Sequence, residues 1–236
     1  MADRVRVAII GSGPAGLSAA ARAAQLGVSH VLLEKTDHLS DTIYKYQKGK
    51  HVMATPAKLV LRSDLDFDAG KREAILGIWD KQALSNKVNV RYRSEVKAIT
   101  GEEGDFSLAL TDGTVVHAER VVFAIGTQGN PNLMRCPGAD QAHVQYQLDD
   151  PGEYVDEHIT VIGSGDAGIE NALGLAADAA QGNVVTILNR SADFARAKSA
   201  NVKLLNEASD QGRITVRLNT TPGEVREDEL VLETRE

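Results

Sequence analysis

The 236-residue sequence contains one cysteine, Cys136, and few aromatic residues: one Trp, five Tyr and four Phe. A single thiol excludes an intramolecular disulfide framework, a CxxC redox pair and a thiolate cage for zinc or an iron–sulfur cluster. Aromatics at 4% leave no stacking platform for single-stranded nucleic acid. No block of Lys/Arg stands out and the formal net charge is −7, which argues against nucleic-acid partners. No apolar run approaches the roughly 18–20 residues of a membrane span. The N-terminus, MADRVRVAIIGSG, lacks the apolar stretch and small-residue cleavage site of a signal peptide, so a cytoplasmic protein is expected. The six histidines (His30, His38, His51, His117, His143, His158) show no metal spacing and are expected on the surface or in loops, with no metal site. Cys136, in MRCPG, reads as a small buried hydrophobe. What is plentiful is ordinary: 42% hydrophobic and 25% charged residues, a globular composition sized for one large or two small domains.

Glycine is placed with pattern. Val5–Ile10 is a β-branched apolar run that reads as a buried strand, followed by Gly11-Ser12-Gly13-Pro14-Ala15-Gly16 and an Ala/Leu-rich helix closing on Gly27. His30–Leu33 is again strand-like and ends at Glu34, 18 residues after Gly16. In a dinucleotide-binding turn the first glycine allows the sharp strand-to-helix turn. The second lets the backbone approach a pyrophosphate, and the third allows close helix–strand packing. The helix N-terminus offers free N–H groups to phosphate, and Glu34 is placed to accept hydrogen bonds from a ribose diol.

The pattern recurs. Ile159–Ile162 leads into Gly163-Ser164-Gly165-Asp166-Ala167-Gly168, the helical IENALGLAADAA and the strand NVVTIL, which ends at Asn189-Arg190. An Asn-Arg pair where an acid would favour a bare ribose leaves room for a 2′-phosphate, so NADP is favoured over NAD. Asp166 and Glu170 lie at i and i+4 and read as a solvated helix face. Between the two fingerprints, residues 71–87 carry a helix-period stripe (Ile75, Leu76, Ile78, Trp79, Ala83, Leu84), and Val88–Tyr92 reads as a strand. Ser94–Thr100, Phe106–Leu110 and Thr114–His117 read as a small antiparallel meander, with Asp112-Gly113 as a hairpin signal. Arg120–Ile125 reads as a further buried strand ending at Gly126-Thr127.

With these residues the sequence resembles the two-dinucleotide-binding flavoprotein reductases, the thioredoxin-reductase-like branch of the pyridine-nucleotide oxidoreductases. The likeness rests on the paired fingerprints, the Ala124-Ile125-Gly126 strand end and Pro131-Asn132-Leu133 … Pro137-Gly138-Ala139-Asp140. Thr42-Ile43-Tyr44-Lys45-Tyr46 and His51-Val52-Met53-Ala54-Thr55-Pro56 are similar to the bacillithiol-disulfide-reductase-like subgroup. The resemblance implies an α/β fold of two Rossmann-like, three-layer units, the first with the meander. It implies FAD on the first fingerprint, with Glu34, Lys35, Thr55, Val96, Ala124 and Gly126 on the flavin side, and NADP or NAD on the second. It offers a place near the nicotinamide as the other reading of Glu170. The expected domains are 1–128 for FAD, a linker at 129–157, and 158–236 for NAD(P).

Departures are equally informative. HVQYQLDDPGEY has no CxxC pair, and the subgroup's glycine-loop cysteine is replaced by Ala15, so a dithiol step is not expected. The FxGxxxH signature of flavin monooxygenases is missing. The segment that returns to complete a flavin domain is not found before Glu236, which suggests a fragment or an open FAD site. The expected activity is hydride transfer from NAD(P)H to FAD. Electrons would then pass to an outside acceptor such as a ferredoxin-like carrier, a quinone or a fused redox module, and no catalytic side chain is assigned. A nucleotide-binding regulatory module without turnover is the alternative, and a homodimer stays open.

Overall fold

The computed structural model describes residues 3–53, 62–127 and 132–235. The chain divides into two compact units, residues 1–130 and 131–236.

In the first unit, β1 (Asp3–Ile10) runs into α1 (Pro14–Gln25) and then β2 (His30–Leu33). The Ala-rich α1 loses little side-chain entropy on folding. It starts on Pro14, tolerated in a first turn, and stops where Gly27 turns left-handed and its N–H donates to Ala24 O at 3.0 Å. Next come α2 (Asp41–Tyr44), β3 (His51–Val52), β4 (Gly70–Lys71), α3 (Arg72–Ser85) and β5 (Val90–Arg91). The unit ends with β6 (Val96–Glu102), β7 (Asp105–Leu110) and β8 (Val115–Phe123). The sheet order is β5-β2-β1-β8-β7-β6, with β1 parallel to both β2 and β8. The continuous apolar run of β1 feeds both faces. Ile9 joins Leu17, Leu32, Ile75 and Trp79 beneath the helices, while Ala8 and Ile10 join Leu108, Leu110, Val116 and Ala118 of the meander. Trp79 is 4% exposed and donates its indole N–H to Asp66 O at 2.7 Å, so the one tryptophan buries its ring without an orphaned donor.

Several expectations are corrected here. Thr114–His117 and Arg120–Ile125 are not two strands: β8 is one strand serving both meander and parallel sheet. Its carboxyl end is not buried, with Phe123 and Ile125 67% and 69% exposed. On α3 only the i, i+4 line Ile75–Trp79–Ala83 is buried, and Leu84 faces solvent. His30 is neither a surface nor a loop residue. It is buried in β2, with Nδ1 bonded to Val28 O at 2.9 Å and Nε2 accepting the Asn89 N–H at 3.1 Å. Both ring nitrogens are satisfied, and that is what permits its burial.

In the second unit β9 (His158–Ile162), α4 (Asp166–Leu175), β10 (Val184–Leu188), α5 (Ser199–Asp210) and β11 (Ile214–Arg217) form two βαβ crossovers. The parallel order is β11-β10-β9, and β12 (Thr220–Val225) with β13 (Leu230–Thr234) makes a separate hairpin. Ile169, Ala172 and Leu175 of α4 and Leu205 and Ala208 of α5 close over Val185, Ile187 and Ile214. The helix expected to run to residue 180 ends at Leu175, and Ala179–Gln181 is a separate 3-10 turn. Cys136 is half-buried, not buried. Among the described residues no helix is long and apolar enough to cross a membrane, and no three His, Cys, Asp or Glu side chains converge as a metal site.

Candidate nucleotide sites

The two glycine turns share one geometry. Gly11 N–H donates to Leu33 O (2.9 Å) and Gly163 N–H to Leu188 O (3.2 Å), so each turn is pinned to the end of the next parallel strand. Leu17 N–H bonds Gly13 O and Ile169 N–H bonds Gly165 O, which starts each helix at the same position. A Cβ on Gly16 would lie 1.8 Å from Gly11 O, and one on Gly168 would lie 1.8 Å from Gly163 O. Only glycine permits that approach. In contrast, a Cβ on Gly13 or Gly165 meets nothing within 4 Å. Each of these middle glycines caps its helix with no side-chain hydrogen bond. The turns therefore leave open space beside amide N–H groups that lack a side-chain cap, which fits a pyrophosphate. Pro14, Ala15 and Ala167 are exposed on this rim, and Ser164 is half-buried.

The pinned strand ends make Glu34 and Asn189 equivalent positions, and they are used differently. Glu34 is 4% exposed. Its Oε2 accepts from both the N–H (3.0 Å) and the hydroxyl of Ser12, and its Oε1 accepts the Thr36 N–H at 2.9 Å. Ser12, 1% exposed, is tied further to Ser40: Ser40 N–H donates to Ser12 Oγ (2.9 Å) and Ser40 Oγ to Ser12 O (3.0 Å). Ser40 holds left-handed backbone, φ 57, to make this double bond. The Thr36 hydroxyl has one proton for two acceptors, Glu34 Oε1 and His38 O, so Oε1 keeps acceptor capacity for a ribose hydroxyl. Glu34 thus clasps the turn from below. Burial, with the Asp80 and Glu34 carboxylates nearby, raises the Tyr92 phenol above its usual value. Glu34→Gln puts an amide donor among these donors and is expected to destabilise the first unit by about 2 kcal/mol, read from the urea midpoint.

Asn189 is 5% exposed and serves its own loop: its Nδ2 donates to Asp193 O and its Oδ1 accepts the Ser191 N–H at 3.1 Å. Arg190 and, further along the same loop, Arg196 are exposed, and among the described residues neither has a hydrogen bond or ion pair. Asp166 and Glu170 are not a solvated face. Asn201 Nδ2 donates to Asp166 Oδ1 (2.8 Å) and Glu170 Oε1 (3.1 Å), and Lys198 N–H donates to Asp166 Oδ1 (2.8 Å).

The remaining residues of the first unit divide. Ala124 packs on the glycine turn, its carbonyl 2.6 Å from where a Gly11 Cβ would sit and its Cβ 3.3 Å from a Gly16 Cβ. Gly126 is left-handed with open space around it, and Lys35 is exposed. Val96 is half-buried and packs against the meander core. Thr55 lies outside the described residues. Tyr44, 47% exposed, stacks on His38 with ring centroids 3.8 Å apart, and the Arg72 guanidinium lies 5.6 Å from its centroid. Thr36, Ser40, Arg196 and Asn201 escaped the sequence reading. Ser40 and Asn201 bond to partners 28 and 35 residues away, and no local pattern marks Thr36 or Arg196.

Two βαβ turns with the same pins and the same glycine contacts define a protein with two dinucleotide-binding units. A family model, pyridine nucleotide-disulphide oxidoreductase, matches residues 8–236, and the chain belongs to that family. It is 28% identical over 217 residues to a ferredoxin–NADP reductase of Ignicoccus hospitalis, covering 92% of this chain and 65% of that protein. It is also 28% identical over 233 residues to a thioredoxin reductase of Peptoclostridium litorale, covering 95% and 65%. The chain therefore spans just under two thirds of the length of these relatives. Among solved structures, bacillithiol disulfide reductase from Staphylococcus aureus superimposes with a TM-score of 0.86 at 24% identity, over 98% of this chain and 72% of that one. That likeness shows the fold.

Proposed function

We propose that this chain binds FAD on the turn of residues 11–16 and NADPH on the turn of residues 163–168. It would pass a hydride from NADPH to the flavin, and electrons onward to a ferredoxin-like carrier, with no dithiol step. The observation that carries this reading is the pair of matching turns whose next strands lead into different residues, Glu34 and Asn189. A buried Glu34 with residual acceptor capacity suits a bare ribose diol. An Asn189 occupied with its own loop, beside an exposed Arg190 that has no partner among the described residues, suits a 2′-phosphate. When bound, FAD supplies the two-electron chemistry, taking hydride from the nicotinamide and releasing electrons to a carrier.

The chain's own residues bind and orient. The open sides of Gly13 and Gly165 admit the pyrophosphates, the Ser12–Glu34–Ser40 clasp fixes the first turn, and Arg190 and Arg196 select the nucleotide of the second. We assign residues 1–128 to the flavin side, 129–157 to a linker and 158–236 to the NADPH side. The carrier is inferred from the ferredoxin–NADP reductases among the relatives, and a cytoplasmic setting suits a chain with one cysteine. Cys136, alone and half-buried, has no partner thiol for a disulfide cycle. The test is Cys136→Ser: NADPH-dependent reduction of a ferredoxin is expected within twofold of the parent. A tenfold or greater loss would return the thiol to the mechanism.

A further inference from the structure

Residues 131–236 hold nine of the 26 basic residues and 18 of the 33 acidic ones, and three of those nine, Arg190, Arg196 and Lys198, fall between β10 and α5. This loop carries a third of the acidic unit's cations, so where it is held decides what those three can reach. Its start is fixed locally. Asn189 bonds Asp193 O and Ser191 N–H, and Asn219 N–H reaches Ser191 O at 3.2 Å. Phe194 and Ala197 pack its later part on the core, and its end is tied to α4 through Lys198 N–H and through Asn201 on the first turn of α5.

The two protons of the Asn201 amide are shared between two carboxylates, Asp166 Oδ1 at 2.8 Å and Glu170 Oε1 at 3.1 Å. Those carboxylates lie one turn apart on α4, where like charges repel, and Asp166 opens the helix at the end where phosphate would dock. Lys198 N–H, the last backbone donor before α5, takes the same Asp166 oxygen at 2.8 Å. The N-terminal ends of α4 and α5 are thereby joined by N–H···O bonds. The basic loop ends on the helix whose N-terminus borders the open pyrophosphate space.

We propose that Asn201 is a positioning residue for nucleotide selection: by holding the end of the 189–198 loop on α4, it sets the spacing between the pyrophosphate turn and the cations that meet a 2′-phosphate. This rests on the NADPH reading of the second turn. NADPH engages both elements at once, whereas NADH engages the turn alone, so loosening the joint penalises NADPH selectively.

The experiment is calorimetric titration of the full chain with NADPH and with NADH. Asn201→Ala is expected to weaken NADPH about tenfold, a loss of about 1.4 kcal/mol, with NADH changed less than twofold. Asn201→Asp, of nearly the same size but adding a third carboxylate, is expected to weaken NADPH further. Asn201→Gln, which keeps both donors, should recover most of the affinity. Should Asn201→Ala lower the melting temperature, the Asp and Gln variants carry the comparison. Equal losses for the two nucleotides, or no loss for either, would overturn the positioning role. A parent chain that binds NADPH no better than NADH would overturn the underlying NADPH reading, and the proposal with it. Preference in the parent that survives in Asn201→Ala would overturn the proposal alone.

Discussion

Gly165→Ala is expected to abolish NADPH binding while leaving the stability of the second unit unchanged, and Gly168→Ala to unfold the turn itself. The two substitutions add the same methyl group three residues apart. At Gly165 the backbone (φ −76, ψ 178) suits any residue and a Cβ meets nothing within 4 Å, so the folded chain accepts the methyl. It then occupies the space through which a pyrophosphate approaches the amides of α4. At Gly168 the methyl would sit 1.8 Å from Gly163 O, far inside any van der Waals contact. The strand-to-helix turn must open, at about 3 kcal/mol or more. The first turn repeats the arithmetic. Gly13→Ala should remove flavin without loss of stability, and Gly16→Ala should lose both, since its Cβ would lie 1.8 Å from Gly11 O. Flavin-to-protein absorbance ratios, 2′,5′-ADP calorimetry and urea midpoints on the four variants check the set. A Gly13→Ala chain that still holds flavin at the parent ratio would show that the first turn is not where the cofactor lies.

Arg190→Ala is expected to weaken NADPH by about 10- to 100-fold and NADH hardly at all. Arg190 is exposed and has no partner among the described residues, so its removal leaves no buried charge behind. What is lost is one charge-assisted contact to the 2′-phosphate, worth about 1.5–3 kcal/mol. Parallel titrations with the two nucleotides read the difference. Equal weakening of both would mean that Arg190 serves the adenosine or pyrophosphate and not the 2′-phosphate.

The parts of the fold that the sequence makes legible are those set by local chemistry. Gly16 and Gly168 announce a turn because a Cβ there would strike a carbonyl oxygen, and Gly11 and Gly163 because their backbone is left-handed; the apolar runs before them are strands for an equally local reason. Long-range pairing was harder to read. β8 looked like two strands because polar His117, Glu119 and Arg120 interrupt its apolar pattern, yet pairing with β1 on one side and β7 on the other holds it continuous. His30 looked like a surface residue because nothing beside it in sequence announces the Asn89 N–H that satisfies it. The same limit applies to the sites. Glu34 and Arg190 follow from their spacing to the fingerprints, whereas Ser40 and Asn201 act across 28 and 35 residues, on partners that only the folded chain brings near.

The most direct test of the account is anaerobic addition of one equivalent of NADPH to the FAD-loaded chain, followed by visible absorption. The account predicts that the oxidised-flavin bands bleach with NADPH, that NADH at the same concentration is much less effective, and that Gly165→Ala holds its flavin colour unchanged. Flavin bands that persist while calorimetry shows NADPH bound would contradict it.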